Sequence, residues 1–137
     1  MWANEFSQET KASEAKIWQL WADVANWNKW DGSVEYSNLD GFFENGTSGT
    51  LKSVNGPKSK FCLKNVVVNK SFTSQSKLPL CKMDFIHELV NENNRLKIKH
   101  CIKIYGPFTF IFKNLIGKNV AKSLPIAVEK LKGMAEK

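Results

Sequence analysis

Between Ser33 and Tyr105 the chain alternates apolar and polar residues with period two, and the alternation is interrupted only by turn chemistry. The breaks fall at Asp40-Gly41, Asn45-Gly46, Asn55-Gly56-Pro57, Leu78-Pro79 and Asn91-Glu92-Asn93-Asn94. Period two places successive side chains on opposite faces of a pleated strand, and Gly, Pro and Asn supply the backbone angles a reversal needs. The pattern predicts six strands, at 33–38, 47–54, 60–69, 71–77, 80–90 and 95–105. The short connections between them make sequential strands antiparallel neighbours.

The flanks complete the architecture. Residues 2–10 alternate loosely around Trp2, Phe6 and Thr10, and Ser13 then stands where an N-cap belongs, ahead of a helix whose Ile17, Leu20 and Trp21 share a face. Asp23 is placed to cap a second short helix carrying Val24 and Trp27. Gly106-Pro107 ends the last strand, and proline suits the first turn of a helix. From Phe108 through Ile111, Phe112, Leu115, Ile116, Val120, Leu124, Ala127, Val128, Leu131 and Ala135, apolar residues recur at steps of three and four, predicting one long helix lying on the sheet. Pro125, without an N–H, should bend it. The expectation is one α+β domain over residues 1–137, with a curved seven-stranded antiparallel sheet around a long C-terminal helix and two short helices after the first strand.

Parity assigns the faces. In 80–90, Cys81, Met83, Phe85, His87 and Leu89 face inward and Lys82, Asp84, Ile86, Glu88 and Val90 outward; in 95–105, Leu96, Ile98, His100, Ile102 and Ile104 face inward. A turn centred on Asn93-Asn94, residues that tolerate positive φ, sets His87 directly opposite His100. Two imidazoles then meet on an apolar wall. They can be satisfied structurally, contact a ligand, or exchange protons near neutral pH. Asp84 and Glu88 project the other way, so neither completes a relay with His87. Two histidines alone are a poor metal site, and neither metal nor cofactor is expected.

Composition narrows the function classes. With 42% apolar and 24% charged residues, 137 residues can bury a core without staples. The cysteines, Cys62, Cys81 and Cys101, are widely spaced and read as free thiols, their only neighbours for base catalysis being His87 and His100. No apolar run approaches a membrane span, and the first residues lack the basic head and apolar stretch of a secretory signal, so a cytoplasmic protein is expected. The net charge of +7 is unevenly distributed, acids dominating residues 1–50 and lysines residues 51–137. Arg95 is the sole arginine, which leaves almost no bidentate recognition of phosphate or guanine, and no nucleic-acid partner is expected. Lys97, Lys99 and Lys103 should form an exposed row, and Tyr36 and Tyr105 could place hydroxyls at a cavity rim.

Several local motifs sharpen this picture. Ala22-Asp23-Val24-Ala25-Asn26-Trp27-Asn28-Lys29-Trp30-Asp31, then Gly41-Phe42-Phe43-Glu44-Asn45-Gly46-Thr47-Ser48-Gly49, Phe85-Ile86-His87-Glu88-Leu89 and Gly106-Pro107-Phe108 resemble the SRPBCC (START-like) superfamily, and within it the polyketide cyclase/dehydrase and lipid-transport branch. The resemblance implies a helix-grip fold with a cavity between sheet and helix for a small hydrophobic ligand such as a sterol, lipid or polyketide. A bent sheet closed by a single helix also leaves space at its open end on physical grounds. Candidate lining residues are Met83, Phe85, His87, Ile98, His100, Ile102, Phe108, Phe112 and Leu115, with Trp27 and Trp30 at the mouth. Three readings stay open: a carrier or sensor of an apolar ligand, a cyclase or dehydrase using His87 and His100, and a module meeting a membrane surface or an oxidoreductase partner through its lysines. The last resembles the branch of the superfamily associated with carbon monoxide dehydrogenase.

Overall fold

The computed structural model describes all 137 residues. β1 (Trp2–Thr10) leads into α1 (Glu14–Ala22) and a 3₁₀ helix (Val24–Lys29). Six strands follow: β2 (Val34–Leu39), β3 (Ser48–Ser53), β4 (Lys58–Val67), β5 (Ser71–Leu78), β6 (Cys81–Glu92) and β7 (Arg95–Tyr105). All seven strands form one antiparallel sheet in the order β1-β7-β6-β5-β4-β3-β2, so the two helical segments carry the chain from one edge to the other. The C-terminal part comprises α2 (Thr109–Phe112), a wide π turn (Lys113–Gly117) and α3 (Lys118–Ala135). No helix is long and apolar enough to cross a membrane.

Local chemistry explains the junctions. Ser13 Oγ accepts the Lys16 amide at 3.2 Å and starts α1 as expected. Asp23 instead accepts from the Asn26 side chain at 2.8 Å and makes no capping bond to the 3₁₀ backbone. Replacing Ser13 by Ala should cost about 1 kcal/mol, the usual worth of such a cap, measurable as a shifted urea midpoint with unchanged slope. Asn93 and Asn94 both take positive φ, 51° and 63°, and close the β6–β7 hairpin in the register that sets His87 against His100.

The long C-terminal helix is present as one continuous helical run from Thr109 to Ala135, and only its expected apolar stripe is corrected. Leu124, Ala127, Val128, Leu131 and Ala135 are buried, but Ile111 and Leu115 are exposed. The π turn supplies the reason: one additional residue per turn rotates what precedes it by about 100° relative to the buried stripe of α3. Gly117 fixes this turn against the sheet, since a Cβ there would sit 2.6 Å from the Trp2 indole. α3 continues through Pro125 without interruption.

The outer face departs from a free lysine row. Lys97, Lys99 and Lys103 are half-buried; Lys99 pairs with Glu5 at 2.9 Å and Lys97 with Glu92 at 3.6 Å. Pairing of β1 with β7 brings the acidic N-terminal strand alongside the basic one, and the halves that differ in charge neutralise each other there. Tyr105 also lies on this outer face, where its hydroxyl donates to Asp84 and accepts from Gln75, and Tyr36 is exposed on β2. Neither reaches the inner face. All three cysteines are free.

Candidate functional site

The inner face holds most of the sequence-predicted site residues, Leu115 excepted, and it divides into a packed half and a half-buried one. In the packed half, His87 on β6 and His100 on β7 stand opposite each other with ring centroids 4.6 Å apart and edge to face. His87 stacks flat on Phe72 of β5 at 4.1 Å. Trp21 of α1 closes over both imidazoles, and its Nε1–H donates to His100 Nε2 at 3.2 Å. That bond requires a lone pair on Nε2, so His100 is neutral with its proton on Nδ1.

Trp27 and Trp30 are in the core and not at a mouth. Trp27 stacks between Phe61 at 5.4 Å and Phe72 at 6.1 Å, and its Nε1–H donates to the Trp21 carbonyl at 2.7 Å. Trp30 meets His100 edge to face at 5.6 Å, and its own Nε1–H has no partner. Ile98 and Ile102 are fully buried. A Cβ on Gly49 would lie 2.4 Å from the Phe61 ring, which shows how closely the ring lies over β3.

Burial sets the electrostatics. His87 is lowered from 6.5 to about 3, chiefly by loss of hydration, with the nearby backbone of Phe72 and Phe85 opposing in part. Its Nδ1 makes no hydrogen bond. His100 is held well below its ordinary value by burial first and by repulsion from His87 second. A base this weak takes little proton at pH 7, and His100 already spends its lone pair on Trp21. This arrangement makes the pair a neutral, polarisable floor. Cys81, inward on the same strand, has its Sγ 3.9 Å from the Thr109 hydroxyl, and nowhere in the chain do three or more His, Cys, Asp or Glu side chains gather as a metal would need.

The other half of the inner face is more open. α3 packs on β1, β7 and α1, toward one edge of the sheet. Met83 and Phe85 on β6 are half-buried, as are Phe112 and Val120 across from them, and all four pack on a small core of Ile102, Ile104 and Leu124. Ser74 and Ser76 of β5 stand beside Phe85 and Met83 in register. Of the predicted lining, then, Met83, Phe85 and Phe112 come together, Phe108 is half-buried at the start of α2, and Leu115 is 64% exposed and turned away. Sequence reasoning missed Trp21 and Phe72 as partners of the histidines; the flat aromatic and the indole donor come from segments remote in sequence, and no local spacing signals them.

No protein-family model and no curated protein matches the chain. Solved structures do. A START superfamily protein from Mycobacterium smegmatis superposes with a TM-score of 0.74 at 10% identity, over 98% of this chain and 97% of that one. Truncated norcoclaurine synthase from Thalictrum flavum gives 0.69 at 18% identity, over 95% and 92%. The di-domain ARO/CYC protein StfQ of the steffimycin biosynthetic pathway gives 0.77 at 7% identity, over 98% of this chain and 50% of that one. Element order, sheet topology and these superpositions agree: the chain has the helix-grip fold of START-like, SRPBCC proteins.

Proposed function

We propose that the domain is a binding module that holds a small hydrophobic ligand, of lipid, sterol or polyketide type, between the sheet and α3, as a carrier or sensor. The observation that carries this reading is the half-buried apolar row of Met83, Phe85, Phe112 and Val120, which faces across the inner side of the sheet while α3 packs toward the β1–β7 edge. Half-buried apolar side chains on the concave side of a fold lose further water contact when an apolar molecule settles there, at about 25 cal/mol per Å² removed. Ser74 and Ser76, beside Phe85 and Met83 in register, supply the few polar groups that orient such a ligand. Structural neighbours include proteins named for cyclase and synthase activities, and the low basicity of His87 and His100 favours binding over proton transfer here.

Extraction of the purified protein and mass spectrometry of whatever small molecule accompanies it tests the proposal. The expected result is an apolar compound at near-stoichiometric amount, reduced at least about tenfold in a Phe85→Asp variant, since a buried carboxylate beside the ligand costs several kcal/mol. Equal recovery from both proteins would remove the proposed site.

A further inference from the structure

One end of the molecule carries a second surface, built from the β5–β6 turn, the chain start and the outward side of α2 and the π turn. Leu80 in the turn adjoins Gly106, where a Cβ would meet its carbonyl oxygen at 2.6 Å. A shallow depression of about 460 Å³, open to solvent, runs between Lys77, Leu80, Lys82 and Gly106, and a second of about 310 Å³ between Met1, Pro107, Phe110 and Lys113. Around them Phe110 and Leu115 are 62% and 64% exposed, Leu80 64%, and Ile111 is also exposed. These apolar side chains face solvent, and the π turn is what directs Ile111 and Leu115 outward.

Charge identifies the occupant. Lys77 and Lys82 flank the turn, and Lys113, Lys118 and Lys122 follow along the helical run; between Tyr105 and Glu129 the chain has no acidic residue. The four ion pairs of the protein use other bases, and Asp84, the first acid after the turn, is held by Gln75 and Tyr105 on the outer face. Exposed apolar side chains rimmed by unpaired lysines, with no arginine fork, suit a diffuse sheet of negative charge over an apolar interior. Lysine stems can lie along the apolar side chains while their heads reach headgroups. A second copy of the chain would bring two lysine rims together and be repelled.

We propose that this end docks on an anionic lipid bilayer, with Phe110, Ile111, Leu115 and Leu80 entering the headgroup boundary and the five lysines contacting acidic headgroups. The inference stands on this surface alone and does not depend on what occupies the inner face.

Co-sedimentation of the full chain with extruded vesicles tests it, comparing phosphatidylcholine alone with phosphatidylcholine containing phosphatidylserine, at low and high salt. The protein is expected to sediment with the phosphatidylserine vesicles only, and less so at high salt. Lys113→Gln with Lys118→Gln should weaken partitioning about thirtyfold, on the usual contribution of a lysine near an acidic surface. Phe110→Ser with Leu115→Ser should weaken it at least about tenfold through lost apolar insertion, with an unchanged thermal midpoint because both residues are exposed. Lys58→Gln with Lys60→Gln, the same change of charge on β4, should leave it nearly unaltered. Absence of vesicle binding, equal binding to neutral vesicles, or equal loss in the β4 variant would overturn the proposal, as would a concentration-dependent dimer abolished by the Phe110 and Leu115 substitutions.

Discussion

Lowering the pH from 7 to about 4.5 is expected to remove roughly 3 kcal/mol of stability through His87 alone, and more with His100. The folded state holds His87 at about 3 against 6.5 for the ordinary imidazole, and His100 is shifted in the same direction. Protons therefore bind the unfolded chain first. Stability is complete above 6.5, falls by about 1.4 kcal/mol per pH unit per histidine below it, and levels off only near the folded value. Glu136, held down by hydrogen bonds from Thr10 and Lys11, begins to contribute only at lower pH, so the first two units below 6.5 report the histidines. Urea unfolding across that window measures the slope. In His87→Leu the slope should fall by about one proton while stability at pH 7 changes by less than about 1 kcal/mol, because the removed Nδ1 had no partner to lose.

Replacing Trp21 by Ala should cost about 3–5 kcal/mol, the range for emptying a large buried aromatic site. Trp21 is fully buried and touches Trp18, Phe72, His87 and His100. A loss of that size is a large part of the 5–15 kcal/mol typical of a domain, so the variant should be partly unfolded at modest temperature. Trp21→Phe separates packing from hydrogen bonding: it keeps a ring but removes the donor to His100 Nε2, a loss of about 1–3 kcal/mol. It should also raise the His100 pKa, since the neutral form loses its partner; ¹⁵N-edited NMR of the imidazole reports the change. A neutral Trp21→Ala would mean that the aromatic cluster is not what holds α1 on the sheet.

Much of the sheet was legible because parity is local. The alternation through Met83, Phe85 and His87, the Asn93-Asn94 turn and the run from Leu96 to Ile104 together determine faces and register with no long-range information. What surrounds the histidines was not legible. Trp21 is 79 residues from His100 in sequence, and the choice between a packed floor and an open cavity depends on such distant contacts. The lysine row failed as an exposed feature for the same reason, since Glu5 belongs to the other end of the chain. The helix after Gly106 is where it was expected, but the first part of its apolar stripe failed for a different reason. Apolar residues at steps of three and four fit an α-helix throughout, and a π turn at Lys113–Gly117 leaves no trace in that spacing until one asks which residues are buried.

An apolar ligand beside β6 and α3 is tested most directly by methyl NMR. The chain has three methionines: Met1 is exposed, Met134 is half-buried against the main core, and Met83 lies in the proposed site. With ¹³C-methyl methionine and titration of a fatty acid, a sterol and an aromatic polyketide in turn, at least one of the three is expected to shift the Met83 signal saturably while Met134 stays in place. A Met83 signal unmoved by all three, or moved only together with Met1 and Met134, would contradict ligand binding at this site.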